Sequence, residues 1–517
     1  MAKQQKKLAA RLYDAIWPGQ PQKSVVKRGY QAAKLNRQNA DWTIRPTSEN
    51  WELRQSLFAL RGRSREAARN DPYLSRYLDL TRENVVGPKG IQLQSRATKS
   101  DGTLDAPVNK TVEDAWREWG HADTCTITGK LDWKGVQHLV ATQVERDGES
   151  LVQMIPDSLN PFGFSLKVIN VDYLNEFYNT QHTNGNRIIM SVEIDADDKP
   201  VAYWLTTPAS DVMFAQKREL TRTRVPADQM LHIFVPNFDE SQVRGIPAFA
   251  PVLLTAKTFQ SYLLGVVQSA RFASNVFGFI EDTTPDGSEP YTGADDLEGR
   301  ATDPVIDVSP LSMNELPPNK KFSQIDPKQP TQNHSEFSKR ILIEYGAGLG
   351  IPYFLLANDW EATNYSSSRG GLDATRDMWR EKQQFLASML CRPVFQAWSR
   401  QAFLSGKLEI AASKFMSIQN PEWKGRGWRY VDPVKDIGAS VVALENKLSC
   451  WTDEYAEQGK DFQAEMLKIK AEQDFAKSIG LDLVAVTTVK VADAGTAPTD
   501  EEGKPAPAPA SKKAAAK

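Results

Sequence analysis

Val252–Phe279 reads VLLTAKTFQSYLLGVVQSARFASNVFGF, with apolar or small residues at Val252, Ala256, Phe259, Leu263, Val266, Ala270 and Ala273. The intervals alternate between four and three, the rhythm by which a helix keeps one face against a neighbouring helix. Lys257, Gln260, Gln268 and Arg271 interrupt the run. It therefore reads as a buried or interfacial helix and not as a membrane span, which needs ~18 apolar residues or more. Helical rhythm returns at Phe337, Ile341, Leu342, Tyr345 and Leu349. Between the two helices, residues 281–330 are acidic and then rich in Pro, Asn and Lys, with apolar islands at Val305–Val308 and Leu311–Leu316. The pattern predicts a stalk: out along one helix, through a small strand-containing excursion or insertion, and back along the other. Val252, Ala256, Phe259, Leu263, Val266, Ala270, Phe337, Ile341 and Tyr345 are candidates for an interface between copies of the chain. A helix in a monomer's own core would show the same spacing, and the sequence leaves both readings open.

Four distinctive segments lie around this pair: Asn275–Ile280 (NVFGFI), Tyr345–Pro352 (YGAGLGIP), Thr363–Ser367 (TNYSS) and Trp423–Trp428 (WKGRGW). None holds an enzyme's residue set. Gly346, Gly348 and Gly350 superficially resemble a phosphate loop, but they close a helix and lead into Ile351-Pro352. A dinucleotide loop follows a strand and opens a helix, so helix-terminating glycines are the expectation. A GxxxxGK[ST] element is missing, which disfavours an ATP-driven motor. The hydroxyls and amide of Thr363–Ser368 suit helix capping or phosphate contact, with no Ser-His-base order around them.

The 517 residues, 40% hydrophobic and 25% charged, suffice for two to four domains with real cores. With 63 basic and 65 acidic side chains the net charge is only -2, so whole-chain electrostatics gives no pull toward nucleic acid. Near-neutrality does not exclude a conduit, which must let DNA slide. The three cysteines, Cys125, Cys391 and Cys450, are too few and too scattered for a disulfide framework or a cysteine-only zinc site. The five histidines form no HExxH-like pair. Neither metal nor cofactor is expected.

Outward from the pair, residues 1–49 are polar and read as a flexible arm, with no apolar signal core after the basic residues of Met1–Leu8. Glu52–Asn70 predicts a helix, Asp71-Pro72 a break, and Tyr73, Tyr77, Leu80, Asn84 and Val85 a second stripe. Gly87–Gly90 turns into a strand at Ile91–Ser95, and Val112–Trp119 is helical. Within residues 131–250, strands are expected at Val152–Ile155, Ser165–Val171, Arg187–Ile194, Val201–Leu205 and Met230–Phe234, with hairpin turns at Asn184-Gly185 and Asp197-Asp198. Leu372–Phe403 predicts the longest helix, bent or divided by Pro393, and Val434–Leu448 and Lys460–Ser478 predict further helices. The Ala/Pro-rich tail, residues 481–517, is expected to be disordered. The fold class expected is α+β.

These segments, over most of residues 50–480, resemble the lambda-type bacteriophage portal family. The likeness rests on Leu60–Glu66 (LRGRSRE), Ala68–Tyr73 (ARNDPY), Asn84–Gly87 (NVVG), Arg244–Pro247 (RGIP) and Gly348–Tyr353 (GLGIPY). Thr363–Arg369 (TNYSSSR), Gly425–Trp428 (GRGW) and Asp432–Lys435 (DPVK) complete the set. The resemblance implies a portal-like ring of about twelve copies at one procapsid vertex, a channel for double-stranded DNA in packaging and ejection, and no enzymatic activity of its own. It implies partners as well: a terminase large subunit that supplies ATP hydrolysis, capsid and scaffold proteins, and a head-tail connector. The location implied is the virion's portal vertex, and the host cytoplasm during assembly. In that plan residues 50–245 form a mixed α/β wing, 246–276 and 332–350 the two stem helices, and 277–331 a small clip. Residues 351–370 become the tunnel-loop region and 371–480 the distal wing and crown helices. Asn364, Tyr365 and Ser366 become candidates to line the channel, with Arg369 set against phosphate or in an intersubunit salt bridge. Two rivals stay open: a metal-dependent nucleic-acid-processing enzyme, for which no paired acidic signature stands out, and a structural adaptor without a pore.

Overall fold

The computed structural model describes residues 47–206, 222–274, 278–282, 320–324, 334–361, 365–428 and 432–481. The expected arm up to residue 46, the islands at Val305–Val308 and Leu311–Leu316, Asn364 and the tail beyond residue 481 lie outside the described residues, and Glu49, the last residue assigned to the arm, is already helical. Helix α1 spans Glu49–Asn70; its first turn belongs to a small unit ending at Glu52, and the description below concerns the second unit, which begins at Leu53.

Asp71 accepts hydrogen bonds from the N–H groups of Tyr73 (2.9 Å) and Leu74 (3.1 Å), and Pro72 needs no acceptor, so helix α2 starts at Pro72 and runs to Thr81. A π-helical turn, Arg82–Val86, follows and closes at Gly87. Strand β1 (Gln92–Gln94) leads to helix α3 (Ala106–Trp119) and helix α4 (Trp133–Asp147). Helix α4 was not among the elements expected from sequence. Its buried face mixes Trp133, Val136, Val140 and Ala141 with Gln137, Glu145 and Asp147, so an apolar periodicity does not show.

The expected strands are present as β2 (Glu149–Pro156), β3 (Phe164–Ile169), β5 (Arg187–Ile189), β6 (Val192–Ile194), β7 (Pro200–Thr206) and β9 (Met230–Phe234), and two that were not expected join them, β4 (Thr180–Gln181) and β8 (Arg222–Pro226). They form a three-stranded antiparallel sheet, β3-β2-β9, and a five-stranded antiparallel meander, β4 to β8. Arg187–Ile194 is two strands and not one. Met190 (φ 46°) and Ser191 (φ 70°) turn the chain while both are buried, so the apolar pattern conceals the turn. The expected hairpin turns carry Gly185 at φ 91° and Asp198 at φ 61°.

Helix α5 (Leu253–Ser274) leads to an antiparallel strand pair, β10 (Gly278–Asp282) with β11 (Lys320–Gln324), and helix α6 (His334–Leu349) returns. Helix α7 (Tyr365–Leu386) passes through a π-helical segment, Ala387–Cys391, into helix α8 (Arg392–Leu404), so the predicted division before Pro393 is present. Strand β12 (Glu422–Lys424) pairs with β1 across the length of the chain. Helices α9 (Pro433–Glu445), α10 (Trp451–Glu457) and α11 (Phe462–Ser478) complete an α+β architecture. The main core centres on aromatic rings: Trp116 meets Trp398 at 5.0 Å and Trp133 at 5.4 Å, and the indole N–H of Trp119 donates to the Phe164 carbonyl at 3.0 Å.

Candidate functional site

Helices α5 and α6 lie antiparallel and in contact. Phe259 meets the ring of Tyr345 at 6.2 Å, and Tyr262 meets Phe337 at 4.9 Å. Near the end of α6 a Cβ on Gly348 would stand 2.4 Å from the Val252 side chain, so only glycine permits this approach. Gly346 and Gly348 are thus packing residues inside α6, contrary to the expectation of three helix-terminating glycines. Gly350 alone terminates the helix, at φ 72°, while the Ile351 N–H returns to the Gly346 carbonyl at 3.0 Å. Asp71 ties the pair to α2: its Oδ2 accepts from Gln260 of α5 (3.3 Å) and from the Tyr345 hydroxyl of α6 (3.4 Å). Burial raises the Asp71 carboxyl above its ordinary range, against the pull of these donors.

The nine interface candidates divide by depth. Val252, Ala256, Phe259 and Tyr345 are buried in this chain's own core. Leu263, Val266 and Ile341 are half-buried, and Ala270 and Phe337 are exposed. The apolar residues left uncovered on the pair include ones the spacing did not select: Leu254, Leu264, Val267 and Ile343. For Leu264 and Val267 the signal was the all-round apolar Leu263–Val267 run, which a one-face pattern ignores. Helix α9 buries none of its residues and exposes Val434, Ile437, Val441 and Val442; helix α11 exposes Leu467 and Phe475.

In the segment expected to line a channel, Tyr365 and Ser366 open α7. The Arg369 guanidinium lies 2.5 Å from Asp436 of α9 in the same chain and 4.0 Å from Asp373.

The remaining motifs converge in two places. Arg61 from α1 meets Arg244 around Glu149, which is fully buried, and Arg65 pairs instead with Asp147 at 2.9 Å. Arg244 donates from Nε (3.0 and 2.9 Å) and Nη2 (2.5 Å) to the Glu149 carboxylate, and from Nη1 to the carbonyls of Leu174 and Met190 (both 3.1 Å). His232 Nε2 lies 2.8 Å from the same carboxylate. Burial works against the Glu149 charge, but Arg244 and His232 outweigh it and hold the carboxyl well below its usual range. Burial lowers the His232 imidazole despite Glu149, so it stays neutral and donates. The second convergence joins segments 84–87 and 425–428. Asn84 accepts from the Trp428 indole at 3.1 Å, and Gln383 donates to the carbonyls of Asn84 and Arg426, both at 3.0 Å. Arg426 also donates to the Glu83 carbonyl.

Among the described residues no group of three or more His, Cys, Asp or Glu could hold a metal ion. Burial raises the thiols of Cys125 and Cys391, which removes the thiolate a nucleophile needs. No described helix is long and apolar enough to cross a membrane.

A family model described as "Phage portal protein, lambda family" matches residues 35–383. The "Probable portal protein" of Halomonas phage phiHAP-1 is 30% identical over 452 residues, covering 86% of each chain. "Portal protein B" of Escherichia phage lambda is 22% identical over 453 residues, covering 81% of this chain and 84% of its own. Among solved structures, a chain from the virion of a native gene transfer agent particle aligns over 81% of this chain and 97% of its own, at 15% identity and a TM-score of 0.37. This chain belongs to the lambda family of phage portal proteins.

Proposed function

We propose that copies of this chain close into a ring at one capsid vertex, and that double-stranded DNA passes through its opening in packaging and ejection. The ring is also the docking platform for a terminase large subunit, for capsid and scaffold proteins and for a head-tail connector. The reading is carried by the uncovered apolar residues of the helix pair, Leu254, Leu264, Val267, Phe337 and Ile343. Fully burying such side chains is worth about 1.5–3 kcal/mol each, and a helix of 22 residues extends a contact stripe about 33 Å long. A neighbour that presents the same helices covers the stripe on both sides of every copy, and a closed rotation leaves none exposed. Contact with DNA in such a ring is to phosphates and groove shape, since transport cannot depend on base sequence.

Native mass measurement with top-view electron microscopy tests this. The expected result is a closed annulus with an opening wide enough for duplex DNA. Leu264→Asp combined with Val267→Asp reduces it to protomers with unchanged circular dichroism. Monomers or two-fold particles across salt conditions defeat the reading. Divalent-metal-dependent DNA cleavage lost on one acidic substitution turns it toward an enzyme.

A further inference from the structure

We propose that the cleft between the 86–92 turn and the Lys424–Trp428 loop is a binding site for linked phosphate groups. The cleft, about 660 Å³, is walled by five cationic side chains, Lys89, Arg376, Lys424, Arg426 and Lys460, and by no carboxylate. In a chain of net charge -2 this is a local concentration of one sign. The nearby acids offset it only in part. Asp461 is shared between Lys424 (3.0 Å) and Arg96 (3.1 Å), Glu422 also faces Arg96 (3.0 Å), and Asp373 holds Arg376 at 3.2 Å. At longer range Glu83 acts on Arg426, and Glu465 on Lys89 and Lys460. Lys89, Arg426 and Lys460 make no ion pair with a carboxylate among the described residues, and Lys89 and Lys460 are exposed.

The cleft is also fixed in shape. Gln383 and Asn84 fasten the loop onto the π-helical turn, and a Cβ on Gly427 would stand 2.0 Å from the Gln458 backbone. Arg426 is held to the Glu83 carbonyl with Arg376 nearby; burial lowers its pKa against the opposing Glu83 carboxylate, and the like charge of Arg376 adds to the lowering. Guanidinium groups in such a setting favour phosphate oxygens, which take several charge-assisted hydrogen bonds at once. The cations line a recess, which suits a compact run of phosphates. This inference stands apart from the ring reading, because the cleft is built within one copy.

Calorimetric titration of the full-length protein with sodium tripolyphosphate at low ionic strength tests it. One anion is expected per protomer. Lys89→Ala with Lys460→Ala, which breaks no ion pair or side-chain hydrogen bond among the described residues, is expected to weaken binding about tenfold and reduce its salt dependence. Arg426→Gln should weaken it further, with a melting temperature recorded alongside. A duplex oligonucleotide that displaces tripolyphosphate assigns the site to DNA phosphates, and failure to displace assigns it to a free polyphosphate. Absence of binding to the unaltered protein, or binding that the double lysine variant leaves unchanged, overturns the proposal.

Discussion

Replacing Arg244 by Met removes the most heavily bonded cation in the buried cluster while keeping much of its volume. Five hydrogen bonds disappear, three to the Glu149 carboxylate and one each to the Leu174 and Met190 carbonyls. Neither Arg244 nor Glu149 exposes any side chain to water. Glu149 is then left with His232 at 2.8 Å, the Gly245 N–H at 3.1 Å and Arg61 at 3.8 Å. Breaking such a pair from one side costs about 3–5 kcal/mol, because a buried charge and two buried carbonyls lose their partners. Urea unfolding followed by tryptophan fluorescence at fixed protomer concentration measures the loss. Adding Glu149→Gln removes the stranded charge, so the double variant should lie at least about 2 kcal/mol above additivity. A loss under about 1 kcal/mol for Arg244→Met, or strict additivity, refutes the argument that the cluster acts as one unit.

Other outcomes follow from the same geometry. Gly348→Ala places a methyl 2.4 Å from Val252 and should cost about 1–3 kcal/mol, part of which Val252→Ala restores in the double variant; thermal unfolding of the four proteins checks this. His232 is harder to protonate folded than unfolded, so the folded state binds fewer protons and stability should begin to fall as pH drops through about 6.5. Glu149, depressed below its usual value of 4.5, adds a further loss once the pH falls below that value; urea midpoints across the range test both, and His232→Gln should flatten only the first. Arg369→Gln opens a part-exposed pair with Asp436 and should cost no more than about 1 kcal/mol, measured by thermal shift. A packaging defect in that variant with stability intact indicates instead that Arg369 meets phosphate.

The alternating spacing from Val252 to Ala273 and from Phe337 to Leu349 determined two helices, and the polar stretch between them an excursion, because side-chain periodicity is a local property. Asp71-Pro72 likewise fixed the α1–α2 break through one cap and one missing N–H. Helix α4 escaped because its buried face carries Gln137, Glu145 and Asp147, whose partners are supplied by other elements. Only the tertiary structure decided which apolar residues stay uncovered, since Val252 and Leu254 are equally apolar in sequence yet stand at opposite extremes of exposure. It alone brought Asn84–Gly87 beside Gly425–Trp428 and Arg61 beside Arg244, contacts between segments far apart along the chain. Burial and charge pairing belong to the assembled packing, and no local window of residues contains them.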